Sequence, residues 1–340
     1  MSQFCTDAGQ LAQPLRVGGV EYRNRVILAP MSGVTDVPFR RLAWRTGAGM
    51  VVSEMVASEA LCTGHEEMRL KAEGAGLPVH VVQLAGKDAL WMAEATRLAQ
   101  GAGADVIDIN MGCPARKVTT GWSGSALMRD LDHAMTLVEA TVAATDLPVT
   151  LKMRLGWDHD SLNAPELAAR AEDAGIRLVT VHGRTRCQFY KGRADWNAVR
   201  RVRAATRLPL VINGDIRDGE SAAAAIRASG ADAVMIGRAA YGAPWLPGTI
   251  AGTGTPPANL AELVGEHHAT MLDHYGAAIG LRAARKHLGW YAEGCDLPAE
   301  RLALRAALMR ENDRGRAQRM IAELFDGIAP RTAAPVSLAA

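Results

Sequence analysis

Aromatic residues make up only 5% of the 340-residue sequence, so the interior must be packed mainly by aliphatic side chains. Cysteine is also sparse. Cys5, Cys62, Cys113, Cys187 and Cys295 are scattered, odd in number and never in C-x-x-C spacing. That pattern argues against a disulfide framework and against a zinc site, so no metal is expected and a reducing cytoplasm fits best. Neither charge sign is in surplus: 38 Lys and Arg face 36 Asp and Glu, for a net charge of +2. The chain lacks the bulk basicity that announces a nucleic-acid binder, although a local patch can sit on a nearly neutral chain. No apolar run reaches the length that spans a bilayer, and the polar N-terminus has no apolar signal core. A cytoplasmic protein is expected, with no membrane and no obligate protein partner. Two nucleotide fingerprints are missing as well. No G-x-G-x-x-G opens a helix after a strand, since Gly101 and Gly103 lead straight to Val106, and no G-x-x-x-x-G-K-[ST] occurs.

What the sequence does contain is a two-phase quasi-repeat. In one phase a small residue and a Gly lead into an apolar run. Examples are Gly47-Ala48-Gly49 before Met50, Gly101-Ala102-Gly103 before Val106, Ala174-Gly175 before Leu178 and Ser229-Gly230 before Ala233. In the other phase Leu-Pro leads in, at Leu77-Pro78, Leu147-Pro148 and Leu208-Pro209. A Gly after a helix takes the left-handed cap conformation, and a Pro opens a strand where its missing N–H costs least. Segments of helical period separate the runs. The result is eight strand–helix units between about residues 26 and 245, preceded by a hairpin over Leu15 to Tyr22. Eight such units favour a closed (β/α)8 TIM barrel over an open doubly wound sheet. The barrel is expected over residues 14–246, after a loose leader over 1–13. A Gly-, Pro- and Thr-rich linker follows at 247–259 and a small all-α helical bundle at 260–327, with a frayed tail from Pro330.

In such a barrel the chemistry sits at the carboxyl ends of the strands. Those ends read Pro30-Met31-Ser32, Ser53-Glu54, Gln83, Asn110 with Cys113, Lys152 with Arg154, His182, Asn213-Gly214-Asp215 and Gly237-Arg238. Together they supply donors, acceptors, a cation and a thiol at one rim. Each has a plain alternative. Cys113 suits a buried structural thiol, Lys152 an ion pair with a neighbouring acid, His182 a core imidazole, and Gly214 and Gly237 simple turns. The loops after strands seven and eight are the usual phosphate site of such barrels, which singles out Gly214, Gly237 and Arg238.

These residues fall into motifs. Pro30-Met31-Ser32-Gly33-Val34-Thr35-Asp36 with Pro38-Phe39-Arg40, Asp108-Ile109-Asn110-Met111-Gly112-Cys113-Pro114 and Lys152-Met153-Arg154 resemble the tRNA-dihydrouridine synthases. So do His182-Gly183-Arg184-Thr185, Asn213-Gly214-Asp215-Ile216 and Ile236-Gly237-Arg238. The likeness covers nearly the whole chain and is nearest to the bacterial DusB-like branch. Ser32 and Arg116 depart from the family pattern, where Ala and Lys are expected. The resemblance implies reduction of tRNA uridines to 5,6-dihydrouridine by a flavin, FMN, itself reduced by NADPH. It carries flavin contacts over to Pro30, Met31, Ser32, Gln83, Lys152, Asn213, Gly214, Asp215, Gly237 and Arg238. It makes Cys113 the proton donor to C5 and Asn110 and His182 neighbours of the base or the flavin. An unperturbed thiol is protonated at neutral pH and can act as a general acid.

The helical region adds a local basic pattern. Arg282, Arg285 and Lys286 stand at spacings of three and four, so they share or flank one helix face. Arg285 and Lys286 are read as tRNA contacts, with His287 and Trp290 following. An exposed Trp290 could stack on a base; the alternative is a solvated basic face with Trp290 inside the bundle. His267, His268 and His274 read as a polar helix face. Two other functions share these features. One is an FMN barrel acting on a free pyrimidine, which would not need the helical bundle. The other is a non-catalytic RNA-binding regulator, which would not need Cys113, Lys152 and the phosphate turns together.

Overall fold

A computed structural model describes residues 9–331. The leader and tail expected at the two ends fall largely outside them. Strands β1 (Leu15–Val17) and β2 (Val20–Tyr22) form an antiparallel hairpin, turned by Gly18 at φ 58°, as two-residue hairpin loops require. Then come β3 (Val26–Leu28), β4 (Met50–Ala57), β5 (Val81–Ala85), β6 (Val106–Met111), β7 (Val149–Arg154), β8 (Leu178–His182), β9 (Leu210–Asn213) and β10 (Ala233–Ile236). All eight pair in parallel and in sequence order, and β10 closes on β3. The expected barrel is therefore present. The glycines of the quasi-repeat behave as their position demands: Gly47, Gly103, Gly175 and Gly230 all hold positive φ after a helix.

Strand alternation divides the barrel into two cores. Ile107, Ile109, Leu151, Met153, Val179, Val181 and Ile212 face outward against the surrounding helices. Ile27, Met50, Val52, Val81, Val106, Leu178, Val211 and Met235 face inward, and Leu15, Val17 and Tyr22 of the hairpin join them. The hairpin thus plugs the amino-terminal end with apolar side chains. Further along the same inward positions the residues turn polar, at Gln83, Asp108, Asn110, Thr150, Lys152, His182 and Asn213.

The stretch expected as a linker is not loose. Its first half is a helix, Leu246–Ala251, with Pro247 in the first turn and Gly252 in the left-handed conformation beyond its end. Leu246, Ile250 and Ala251 are buried against the barrel, and the Thr253 hydroxyl donates to the Gly47 carbonyl. Composition marked a linker because Gly and Pro here punctuate a short helix. Beyond it, helices Leu260–Tyr275, Ala277–Glu293, Leu302–Leu308 and Arg314–Phe325 form the bundle. The first two cross tightly at Gly280, where a Cβ would lie 2.7 Å from Leu272 Cα. The barrel helix Val37–Arg45 and Trp245 enter the bundle core with Leu263, Leu288, Tyr291, Ile321 and Phe325. Among the described residues no helix is long and apolar enough to cross a membrane.

Candidate active site at the barrel mouth

A cleft of about 770 Å³ opens at the carboxyl ends of the barrel strands, within the range usual for cofactor and ligand sites. Pro30, Met31, Ser32, Gln83, Asn110, Cys113, Lys152, His182, Asn213, Gly214, Asp215, Gly237 and Arg238 all line it. The rim residues read from the sequence therefore share one cavity, except Ser53 and Glu54, which are buried because their strand runs on to Ala57.

A hydrogen-bonded chain rises through the barrel to the thiol. The buried Asp108 carboxylate accepts from the Thr150 hydroxyl and the Gln83 amide, both at 2.6 Å. Gln83 Oε1 accepts from Asn110 Nδ2 at 2.8 Å. Asn110 Oδ1 in turn accepts from the backbone N–H groups of Gly112 and Cys113, at 3.1 and 3.0 Å. Asn110 is thus the hinge pin of the Cys113 loop. Each step has directional donors, so the strand interior fixes where the thiol stands. Burial raises the Asp108 pKa against the Thr150 and Gln83 hydrogen bonds.

Lys152 lies across the cleft, 9% exposed. Its Nζ donates to Asn213 Oδ1 at 3.2 Å, while Asn213 Nδ2 is tied to the Met235 carbonyl. No carboxylate lies in ion-pair range among the described residues, so the ion-pair alternative is not what the structure contains. Burial and the nearby Arg154 pull the Lys152 pKa down to about 8, with Asp108 opposing. A buried cation without a carboxylate calls for an anionic or strongly polar ligand edge.

His182 is neutral. Burial first, then Arg154, Lys152, Arg184 and Arg238, hold its pKa well below 6.5. Its Nε2 lies 3.2 Å from Arg184 Nη1. A guanidinium only donates, so Nε2 accepts and the ring proton sits on Nδ1. Arg184 also forms a two-oxygen pair with Asp215, at 2.8 Å to each oxygen. The Asp215 carboxylate further accepts from the Ala194 N–H. Its side chain is therefore committed to the protein, although Asp215 borders the cleft.

The two turn glycines differ. Gly214 is at φ 115°, and a Cβ there would lie 2.9 Å from His182 Cδ2; packing on His182 alone demands glycine. A Cβ on Gly237 would meet nothing within 4 Å, so that backbone faces open space. Beside it, Arg238 Cζ lies 4.5 Å from the Tyr190 ring centroid. An open glycine next to a guanidinium fits a phosphate, and the cleft with buried Lys152 fits a flavin ring.

The bundle residues named as RNA contacts do not line the cleft. Arg285 Nη2 donates to Asn312 Oδ1 at 2.8 Å and to the Glu311 carbonyl. Lys286 Nζ turns the other way, toward Gly33 at the barrel rim. The two do not share one open face. Trp290 is half-buried and stacked on Tyr241, centroids 4.1 Å apart, so it is not an exposed platform. His267 and His268 are buried, not a polar face; His267 Nδ1 lies 3.0 Å from the Tyr291 hydroxyl. Among the described residues no cluster could hold a metal.

Arg154, Arg184, Tyr190 and Tyr241 also line the cleft. Arg154 was read at the strand end with Lys152, which it follows by two on one strand and whose face it shares. It donates to the carbonyls of Gly112, Thr185 and Phe189, clasping two loops. Tyr190 and Tyr241 stand in loops without periodicity, where no sequence signal marks them.

A closed parallel barrel with a thiol, a buried cation and a neutral imidazole converging at the carboxyl ends of its strands has the layout of a barrel enzyme. The same fold occurs in the structure of a morphinone reductase mutant in complex with tetrahydroNAD. The two match with a TM-score of 0.54 and 16% identity, over 74% of this chain and 93% of that one. Residues 27–327 match the family model described as dihydrouridine synthase (Dus). The chain is 60% identical over 272 residues to a probable tRNA-dihydrouridine synthase of Rhizobium leguminosarum bv. phaseoli, covering 80% of this chain and 86% of that protein. It is 47% identical over 289 residues to tRNA-dihydrouridine synthase B of Xanthomonas campestris pv. campestris, covering 82% and 87%. The chain belongs to the dihydrouridine synthase family.

Proposed function

We propose that this protein reduces uridines of tRNA to 5,6-dihydrouridine in the cytoplasm, using FMN held in the barrel cleft and NADPH as reductant. The observation that carries this reading is the convergence of Cys113, Lys152, Asn110 and His182 with the Gly237–Arg238 turn in a single cleft of a dihydrouridine synthase chain. Gly237 and Arg238 would hold the flavin phosphate. Pro30, Met31, Ser32, Gln83, Asn213 and Gly214 would line its ring, and Lys152 would meet its polar edge. When bound, the flavin supplies the hydride that reaches C6 of the uracil.

The chain's own residues do the rest. A uridine stacked in folded RNA must be drawn out into the pocket. Asn110 holds the Cys113 loop by its two N–H groups, and Cys113 delivers a proton to C5. Lys152 offers positive charge where negative charge gathers. His182 is neutral at physiological pH, so it orients by hydrogen bonding and adds no charge. The helical region over 260–327 would hold the body of the tRNA. Of its two basic candidates, Lys286 stands beside the cleft rim, whereas Arg285 braces the bundle.

The reading is tested by incubating the purified protein with FMN, NADPH and unmodified tRNA, and separately with a free pyrimidine. Dihydrouridine in the tRNA arm supports it. Reduction of the free pyrimidine alone would move the chain to the small-molecule alternative, and reduction of neither would leave the RNA-binding regulator.

A further inference from the structure

Three non-glycine residues among those described have positive φ: Trp122 at 58°, Phe189 at 52° and Asp215 at 58°. All three stand at the barrel mouth. Bulky aromatic residues rarely adopt this conformation, and retained strain of this kind clusters at functional sites. The two aromatics belong to one continuous row. Arg129 Cζ lies 5.2 Å from the Trp122 centroid and 4.9 Å from that of Trp157. Arg186 Cζ lies 4.6 Å from the Trp157 centroid and 4.6 Å from that of Phe189. The order is Trp122, Arg129, Trp157, Arg186, Phe189, alternating ring and guanidinium.

The row crosses three loops that are fastened together. Arg186 and Cys187 donate their backbone N–H groups to Gly156 and Trp157, and Arg186 Nη2 donates to the Thr119 hydroxyl at 3.2 Å. One end is open, with Trp122 51% exposed. The other end, Phe189, lines the cleft. The loop carrying Trp122 is the Cys113 loop itself, pinned where Ser125 donates to the Cys113 carbonyl. Residues 112–130, 155–163 and 183–195 hold seven Lys and Arg against four Asp, an excess of three, which exceeds the +2 of the whole chain.

We propose that this row is the platform for the nucleotides flanking the target uridine. The inference rests on the function proposed above. Extruding one base leaves its neighbours without a stacking partner. The exposed Trp122 ring and Arg129 guanidinium can take up such bases whatever their identity and meet the intervening phosphates, with half-buried Trp157, Arg186 and Phe189 continuing the row toward the cleft. The row leads from solvent to the cleft beside Cys113, the path an RNA strand must follow. RNA binding would thus begin on the barrel loops, with the helical region as a second contact.

Trp122→Gly is the informative substitution, because glycine removes the ring and relaxes the φ 58° backbone. The holoprotein is titrated with unmodified tRNA across a salt series, and reduction is followed against tRNA concentration. Trp122→Gly should weaken tRNA binding about 5- to 150-fold, the range expected for one base–aromatic stack, with the loss falling on the half-saturating tRNA concentration. Trp122→Phe should recover most of it. Arg129→Gln should flatten the slope of log affinity against log salt by about 0.7, one phosphate contact on a single strand. Wild-type affinity in Trp122→Gly, or Trp122→Phe no better than Trp122→Gly, would overturn the platform while leaving tRNA reduction standing. A wild-type protein that binds tRNA through Trp122 but forms no dihydrouridine would instead overturn the function proposed above.

Discussion

Replacing Lys152 with Met should move stability and cofactor retention in opposite directions. The ammonium is buried, its pKa drawn from 10.5 down to about 8. At about 1.4 kcal/mol per pH unit, holding it charged costs the fold about 3 kcal/mol at pH 7. Met keeps the length of the stem and removes that penalty. It also leaves Asn213 Oδ1 without the donor at 3.2 Å, a loss of about 1–2 kcal/mol. The flavin-free Lys152→Met protein should therefore be more stable than the parent by about 1–2 kcal/mol at pH 7. The pH dependence follows from the sign. The folded pKa lies below the unfolded one, so between about pH 8 and 10.5 the unfolded chain binds more protons and the parent gains stability as pH rises. Near about pH 9.5 the penalty has shrunk to about 1.4 kcal/mol and the two proteins should converge. Urea unfolding of both flavin-free chains at the two pH values measures this, and taking their difference cancels every other titrating group. FMN retention in Lys152→Met should fall, because the charge facing the ligand is gone. A less stable Met variant at neutral pH, or a difference that does not change with pH, would refute the account of Lys152 as a strained cation awaiting a ligand.

Cys113→Ala should retain FMN but lose dihydrouridine formation by about 10²–10⁴-fold, the range of a general acid; nucleoside analysis of tRNA reads it. Gly214→Ala should destabilise the protein by about 1–3 kcal/mol, since its Cβ at φ 115° would lie 2.9 Å from both His182 and Ala194; a thermal unfolding midpoint within error of the parent would reject that packing. Acid should destabilise the fold. Burial depresses His182, His287, His267 (to about 3) and His268 (to about 4). Below about pH 6.5 the unfolded chain therefore binds protons that the native state refuses, at up to about 1.4 kcal/mol per pH unit for each imidazole. Asp36 works the other way between about 4 and 6, because burial raises its pKa to about 6, and Asp108, which burial also raises, acts in the same sense, but four imidazoles outnumber two carboxyls. Unfolding free energies from about pH 6.5 down to about 5 check the sign, and a flat profile would contradict it.

The barrel was legible because its signals are local and repeated. Gly103, Gly175 and Gly230 end helices in the left-handed conformation, and the runs they precede became strands. The cleft was legible for a geometric reason: strand ends in a closed barrel converge, so reading the ends of the runs collects one cavity, Ser53-Glu54 excepted because β4 continues to Ala57. What could not be read was which side chains are already spoken for. Asp215 borders the cleft as expected of a ligand contact, and its carboxylate is also held by Arg184. That pairing joins the loop after β8 to the end of β9, a relation no spacing encodes. Arg285, Lys286 and Trp290 follow helical spacing on one helix, yet Asn312 holds Arg285, Tyr241 covers Trp290, and Lys286 points toward the Gly33 rim. The supposed linker at 247–259 was misread because composition cannot separate a short Pro-opened helix from a loop. The arginine–aromatic row was invisible for the same kind of reason, since Trp122, Trp157 and Phe189 sit on three different loops.

The most direct test of the central claim is nucleoside mass spectrometry of unmodified tRNA incubated with the purified protein, FMN and NADPH, beside the Cys113→Ala protein. The parent reaction should yield dihydrouridine, uridine carrying one added pair of hydrogens, and the variant should lose nearly all of it with FMN still bound. Equal dihydrouridine from both proteins would return Cys113 to a structural thiol. None from the FMN-loaded parent would contradict the function.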